Sequence, residues 1–118
     1  LFEVNEMDMI VYEEKRNTIK KEVKNILKLS LTEVILLQKI HELNSEKLDV
    51  IELKKHLHNG NAPISAQLND LIKKGYFKKQ RDTKDERRIF LYDINLTKVA
   101  EALAEYHNIV SLIVDTEI

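Results

Sequence analysis

Only 2 glycines and 1 proline punctuate the 118 residues of this chain, and that scarcity constrains the fold more than any other feature. Glycine and proline are the residues that most often turn a chain sharply or stop a helix. A chain with so few of them must spend most of its length in helices joined by short connections. The three that exist, Gly60, Pro63 and Gly75, therefore mark places where the chain has to bend.

The length fits one domain with a single core. With 43% hydrophobic and 33% charged residues, the chain is too rich in apolar side chains to remain unfolded. No apolar run approaches the roughly 18 residues of a membrane span. The start of the chain carries Glu3, Glu6 and Asp8, unlike the basic start of a signal peptide. The expectation is a cytoplasmic protein with no membrane contact. Cysteine is absent, which excludes disulfides, thiolate metal sites and thiol-based sensing in this chain.

Hydrophobic periodicity then places the helices. Met9, Tyr12, Ile19, Val23, Ile26 and Leu27 recur at helical spacing between Lys15, Arg16, Lys20, Lys21 and Lys24, which predicts one long amphipathic helix over about Glu3 to Leu27. Ser30-Leu-Thr-Glu33 has the form of a capping box. It starts a second helix at Leu31 that is apolar around most of its circumference and ends near Asn44. Asp49 with Glu52 repeats the signal before a short helix, which stops at the turn His58-Asn-Gly-Asn61. Asn61 is expected to cap a fourth helix with Pro63 in its first turn, a core stripe of Ile64, Leu68, Leu71 and Ile72, and Gly75 at its end. A last helix, capped by Asn95 or Thr97, carries Leu96, Val99, Leu103, Tyr106, Val110 and Ile113.

Two short helices around a tight glycine-containing turn, the second apolar on one side only, predict a helix-turn-helix over residues 50–75. The other side of that second helix offers Asn61, Ser65, Ala66 and Asn69, with Gln67 beside them. These side chains are small or carry amides, and can approach base edges or phosphates closely. Tyr76 to Gln80 and Arg87 to Tyr92 have strand composition, and Arg81 to Glu86 between them reads as a hairpin loop. A wing over residues 76–94 follows. The fold class is therefore mainly α with a small β-hairpin wing, a single winged helix-turn-helix domain over 1–118.

The net charge of -1 does not by itself suggest a nucleic-acid binder, but its distribution does. Lys73, Lys74, Lys78, Lys79, Arg81, Lys84, Arg87 and Arg88 crowd into one stretch, and no lysine or arginine follows Lys98. A charge run is commonly just a solvated face. On a hairpin beside a helix-turn-helix it favours phosphate contact. The lysines of the first helix are read as solvation.

The segment Gly75-Tyr-Phe-Lys-Lys-Gln-Arg81-Asp-Thr-Lys-Asp85-Glu86-Arg87 resembles the wing signature of the MarR superfamily, and Arg81 with Asp85-Glu86-Arg87 most resembles its staphylococcal SarA branch. The likeness is specific only over about Lys73 to Tyr92, although the layout matches along nearly the whole chain. It implies a transcription regulator, of virulence or stress genes, that pairs as a homodimer through residues 1–28 and 96–118. Each recognition helix would lie in a major groove of double-stranded DNA, with each wing at the flanking minor groove. It further implies Arg87 as the minor-groove residue, Asp85 and Glu86 as acids that order the wing, and Arg81 beside them. The DNA-binding set is then Asn61, Pro63, Ser65, Ala66, Asn69, Lys79, Arg81, Lys84, Asp85, Glu86, Arg87 and Arg88. Glu86 stands where many MarR relatives have a basic or small residue, and Ala66 where many have a basic or larger polar one. Sparse base-reading side chains point to A-T-rich promoter DNA recognised by shape.

For Arg87 two roles are compatible: a salt bridge to Asp85 or Glu86 that holds the loop, and a guanidinium pre-ordered for a narrow groove. The resemblance also allows a small-molecule effector between the dimer helices and the reading heads, although no polar constellation identifies one. His56 and His58 point in different directions on a helix and lack a completing carboxylate or thiolate, so no metal or other cofactor is expected. Without a phosphate loop, nucleophile elbow or paired carboxylates, an enzyme is not expected. The rival class is a winged-helix adaptor that binds protein and not DNA.

Overall fold

The computed structural model describes residues 6–57, 60 and 62–114. The order is α1 (Glu6–Leu27), α2 (Leu31–Leu43), β1 (Leu48–Asp49), α3 (Val50–Lys55), α4 (Ser65–Lys73), β2 (Lys78–Arg81), β3 (Ile89–Tyr92) and α5 (Leu96–Val114). The strands form one antiparallel sheet in the order β1-β3-β2. The molecule is elongated, 55 × 26 × 24 Å, and its two longest helices, α1 and α5, pack against each other.

Most helix ends obey local chemistry. At the start of α2 the Glu33 N–H donates to Ser30 Oγ at 3.2 Å, and the Ser30 N–H donates to Glu33 Oε1 at 2.8 Å, a complete capping box. Asn44 ends the helix in the left-handed conformation. Asp49 caps α3 by accepting from the Ile51 N–H at 2.8 Å; Glu52 does not reach back to it and instead pairs with Lys55. At the end of α4 the Tyr76 N–H bonds the Leu71 carbonyl and the Gly75 N–H bonds that of Ile72. This is a Schellman cap, which needs the positive φ of Gly75, +87°. Asn95 and not Thr97 caps α5, through the Lys98 N–H at 3.0 Å.

The start of α4 departs from expectation. Pro63 precedes the helix, and Ile64 occupies the cap position with no side-chain cap bond. The Ile64 side chain is buried in the core, so packing determines where the chain enters the helix and leaves its first N–H groups without a side-chain acceptor. Asn61, the expected cap, lies outside the described residues.

The core is contributed by every layer: Val23 and Leu29, then Leu36, Leu37 and Ile40, Leu53, Leu68 and Leu71, Leu91, and Val99 and Leu103. The stripe expected on α4 is core, with Ile72 partly covered. On α5 the buried position is Ile109 and not Val110. On α2, Ile35 is half exposed, so that helix is less enclosed than its composition implied. Burying each large aliphatic side chain contributes roughly 1.5–3 kcal/mol, and this apolar contact holds the short α3 and α4 in place.

The sheet differs from a plain hairpin. β1 adds a third strand, with Leu48 opposite Leu91 and Asp49 opposite Phe90. The hairpin strands also sit later than expected: Tyr76 and Phe77 turn into the core directly after the cap, Arg81 belongs to β2, and Arg87 and Arg88 belong to the turn. Among the described residues no helix is long and apolar enough to cross a membrane.

Candidate nucleic-acid interface

The wing loop between β2 and β3 is ordered by its own carboxylates. Asp82 Oδ1 accepts from the N–H groups of Lys84 at 2.8 Å and Asp85 at 3.3 Å, and these backbone bonds hold its carboxyl below the usual range. Asp85 Oδ1 in turn accepts from the Arg87 N–H and from Arg87 Nε, each at 3.1 Å. The base of the loop closes through the Asp82 N–H to the Arg88 carbonyl and the Arg88 N–H to the Asp85 carbonyl.

This arrangement aims a cation outward. The Arg87 side chain is 92% exposed even while Asp85 holds its Nε, so the guanidinium is oriented by the loop without being covered by it. Arg81 Nη1 donates to the Glu86 carbonyl at 2.8 Å and braces the turn from β2. Of the two acids expected to order the wing, Asp85 does so. Glu86 takes part through its carbonyl, and among the described residues its carboxylate has no hydrogen bond or ion pair. Asp82 fills the second ordering role. Lys84 sits at the tip, exposed and without an ion pair among the described residues.

Arg88 faces the opposite way. Its Nη2 and Nε reach Asp49 Oδ2 at 2.6 and 3.2 Å, and its guanidinium lies over the Phe90 ring. Burial opposes ionisation of Asp49, but the bonds from Arg88 and the Ile51 N–H outweigh it and hold the carboxyl below its usual range. One carboxylate thus caps α3 and anchors the wing. The sequence reading missed Asp49 here because 39 residues separate it from Arg88.

The recognition helix lies beside this hairpin. Leu68 and Leu71 of α4 face the core, while Ser65, Ala66, Asn69 and Lys73 are exposed. Alternation along β2 puts Lys79 and Arg81 on the face of their partners Leu91 and Ile89, and Lys78 and Gln80 on the face of Tyr92 and Phe90. Lys79 thereby reaches Asn69, donating from Nζ to Oδ1 at 2.8 Å. Ser65, Ala66, Asn69, Lys79, Arg81, Lys84, Asp85 and Arg87 therefore belong to one recognition helix and its wing, whereas Arg88 and Pro63 serve its base and its approach.

A polar junction fixes the far end of α4. Glu33 is 4% exposed, and no N–H donor reaches its Oε2. The Lys74 ammonium, 2.5 Å from Asp70 Oδ2, favours the ionised carboxylate, and the Asp70 carboxyl lies below its usual range. Lys74 also donates to the Lys28 carbonyl, and Lys98 to the Lys74 carbonyl. These lysines satisfy carbonyls at helix ends and are committed to structure. Among the described residues no group of three His, Asp or Glu is placed to hold a metal.

A model of the transcriptional regulator SarA/Rot family matches residues 18–103, which spans α2 through the wing together with the end of α1 and the beginning of α5. The chain belongs to the SarA/Rot family of transcriptional regulators. Among curated protein sequences nothing matches it. Solved structures share the winged-helix fold of MarR-type regulators at low identity. A MepR mutant from S. aureus is 14% identical with a TM-score of 0.68, over 99% of this chain and 86% of that one. BldR from Sulfolobus solfataricus is 22% identical with a TM-score of 0.65, over 94% and 81%. Reduced AbfR, solved bound to DNA, is 17% identical with a TM-score of 0.61, over 86% and 77%. This SarA/Rot chain is thus a regulator of transcription whose hairpin is tied to α4 by the Lys79–Asn69 bond.

Proposed function

We propose that this regulator binds double-stranded DNA as a homodimer, α4 entering the major groove and the wing the adjacent minor groove. The observation that carries the reading is Arg87: a guanidinium oriented by Asp85 yet almost wholly exposed, beside a recognition helix that the Lys79–Asn69 bond ties to the same hairpin. Pre-ordering removes part of the entropy an arginine loses on insertion, and narrow A-T-rich minor grooves concentrate the negative potential that attracts it. That AbfR, which shares this fold, was solved bound to DNA supports DNA as the partner.

Affinity then comes mainly from neutralising phosphates with Lys79, Arg81, Lys84 and Arg87, and falls steeply as salt rises. Ser65 and Asn69, exposed on α4, supply the polar groups nearest the bases. Ala66 adds a methyl and no hydrogen bond, so sequence preference leans on shape and A-T-rich promoter DNA.

The dimer reading rests on the other end of the molecule. Lys15 Nζ donates to the Val114 carbonyl at 2.9 Å, joining the middle of α1 to the end of α5, and Ile10, Leu112 and Val114 are exposed. A second copy covering this end sets two recognition helices on one duplex, about a helical turn apart, and makes the target a pseudo-palindrome.

Fluorescence anisotropy of the purified protein on a labelled A-T-rich duplex across a salt series tests the reading. Binding with a steep salt slope is expected. No binding at low salt would sink it in favour of a winged-helix adaptor that recognises protein.

A further inference from the structure

The contact between Lys79 and Asn69 bears on which bases the recognition helix can read. An unconstrained asparagine presents both a carbonyl acceptor and an amino donor, the combination that pairs with adenine through its N6 amino group and N7. Here an ammonium from β2 sits 2.8 Å from Asn69 Oδ1. An ammonium can only donate, so the oxygen must face it and the amide orientation is fixed. The outward groups are then the two N–H bonds of Asn69 Nδ2 and the remaining N–H bonds of Lys79 Nζ.

That surface consists of donors alone and carries a positive charge, since Lys79 forms no ion pair among the described residues. One turn before Asn69 stands Ser65 and one turn after it Lys73, both exposed; neither offers a carboxylate to neutralise the ammonium, and the Ser65 hydroxyl can donate as well as accept. A donor-only patch matches groups that only accept: a phosphate oxygen, or N7 and O6 on the major-groove edge of guanine. It opposes adenine, whose N6 amino group would meet N–H donors and a cation.

We propose that Lys79 is a positioning residue that fixes Asn69 as a hydrogen-bond donor, so that this pair takes an acceptor-only partner, guanine or phosphate, and discriminates against adenine. The inference rests on the DNA-binding reading above. Any A-T preference of the whole protein must then arise from the wing and from DNA shape, and not from Asn69.

The test is selection of bound duplexes from a pool randomised at the centre of the site, sequenced for wild type, Lys79→Met, Lys79→Arg, Asn69→Ala and the Lys79→Met/Asn69→Ala double variant. Thermal melting of each confirms folding, which is expected because both side chains are exposed. Lys79→Met should release the carbonyl and bring in an adenine preference of at least about fivefold at one position per half-site. The double variant should lose that preference, and Lys79→Arg, which still donates to Oδ1, should keep the wild-type profile. A guanine preference in wild type that Asn69→Ala removes identifies the base edge. Uniform weakening in Asn69→Ala with no base preference lost, together with a shallower salt slope in Lys79→Met, identifies phosphate. An Asn69-dependent adenine preference already present in wild type, or an unchanged profile in Lys79→Met, would overturn the proposal while leaving DNA binding intact. Failure of wild type to retain any duplex at low salt overturns the DNA-binding reading itself, and this inference with it.

Discussion

The two ends of this molecule expose opposite chemistries. At the α1–α5 end, Ile10, Leu112 and Val114 face solvent, and no lysine or arginine follows Lys98. At the wing end, Lys79, Arg81, Lys84 and Arg87 are exposed, and a network of backbone and carboxylate bonds holds their loop in shape. Apolar surface is stabilised by exclusion of water and needs only a complementary partner. A charged surface is already stable in water, and is arranged in advance only when orientation matters to what it meets. In the proposed function the first end meets a second copy of the chain, and the second meets a polyanion.

The largest expected effect comes from breaking the first end. Ile10→Glu combined with Val114→Glu should give a monomer in analytical ultracentrifugation and weaken duplex binding by about a hundredfold or more, because two linked half-site contacts become one. A wild-type protein that is monomeric at micromolar concentration would remove the comparison altogether. Next is the wing: Arg87→Ala should weaken binding about tenfold, on the order of 1.4 kcal/mol, and lower the magnitude of the salt slope by about one, leaving the oligomeric state unchanged. An undiminished affinity would show that the exposed guanidinium contacts nothing.

A smaller change should separate wing anchoring from wing contact. Asp49→Ala removes the cap of α3 and the partner of Arg88 together. Thermal melting should show a loss of about 1 kcal/mol, with DNA affinity falling less than for Arg87→Ala. If affinity falls further than in Arg87→Ala, the anchor and not the tip dominates recognition.

The smallest effect is on acid stability. Asp49, Asp70 and Asp82 all have carboxyls held below their ordinary value of 3.8. A depressed folded-state pKa gives stability that is fully present above the unfolded value and is lost as pH falls through the folded one. The midpoint of thermal unfolding should therefore stay level down to about pH 5 and drop below 3.8. In Asp49→Asn that drop should be shallower, and an equally steep drop would show that Asp49 contributes nothing to it.

Much of the fold could be read from neighbouring residues. Ser30 with Glu33 and Asn95 start helices, and Asn44 and Gly75 end them, through bonds spanning a few positions, so local pattern and local structure coincide. In the site, Asp85 and Arg87 are two residues apart and were legible as a pair. Asp82 carried a readable signal, an acid just ahead of Lys84 and Asp85 in a turn, which is the sequence form of an Asx turn. Glu86 looked equivalent to Asp85 by composition and is not: its carbonyl accepts from Arg81, while Asp85 and Asp82 supply the carboxylates that bind the loop's N–H groups.

What the sequence by itself determined is the set of helices, the place of the turn between α3 and α4, and a basic hairpin after Gly75. Each follows from periodicity, capping chemistry or the rarity of glycine and proline. Only the tertiary structure decided that Leu48 and Asp49 form a third strand on β3, that Asp49 holds Arg88, that Ile64 and not Asn61 leads into α4, and that Lys79 meets Asn69. These contacts join residues distant along the chain or depend on which side chain the core claims first. Their free energy comes from closing the core, and no local pattern encodes which partners that closure brings together.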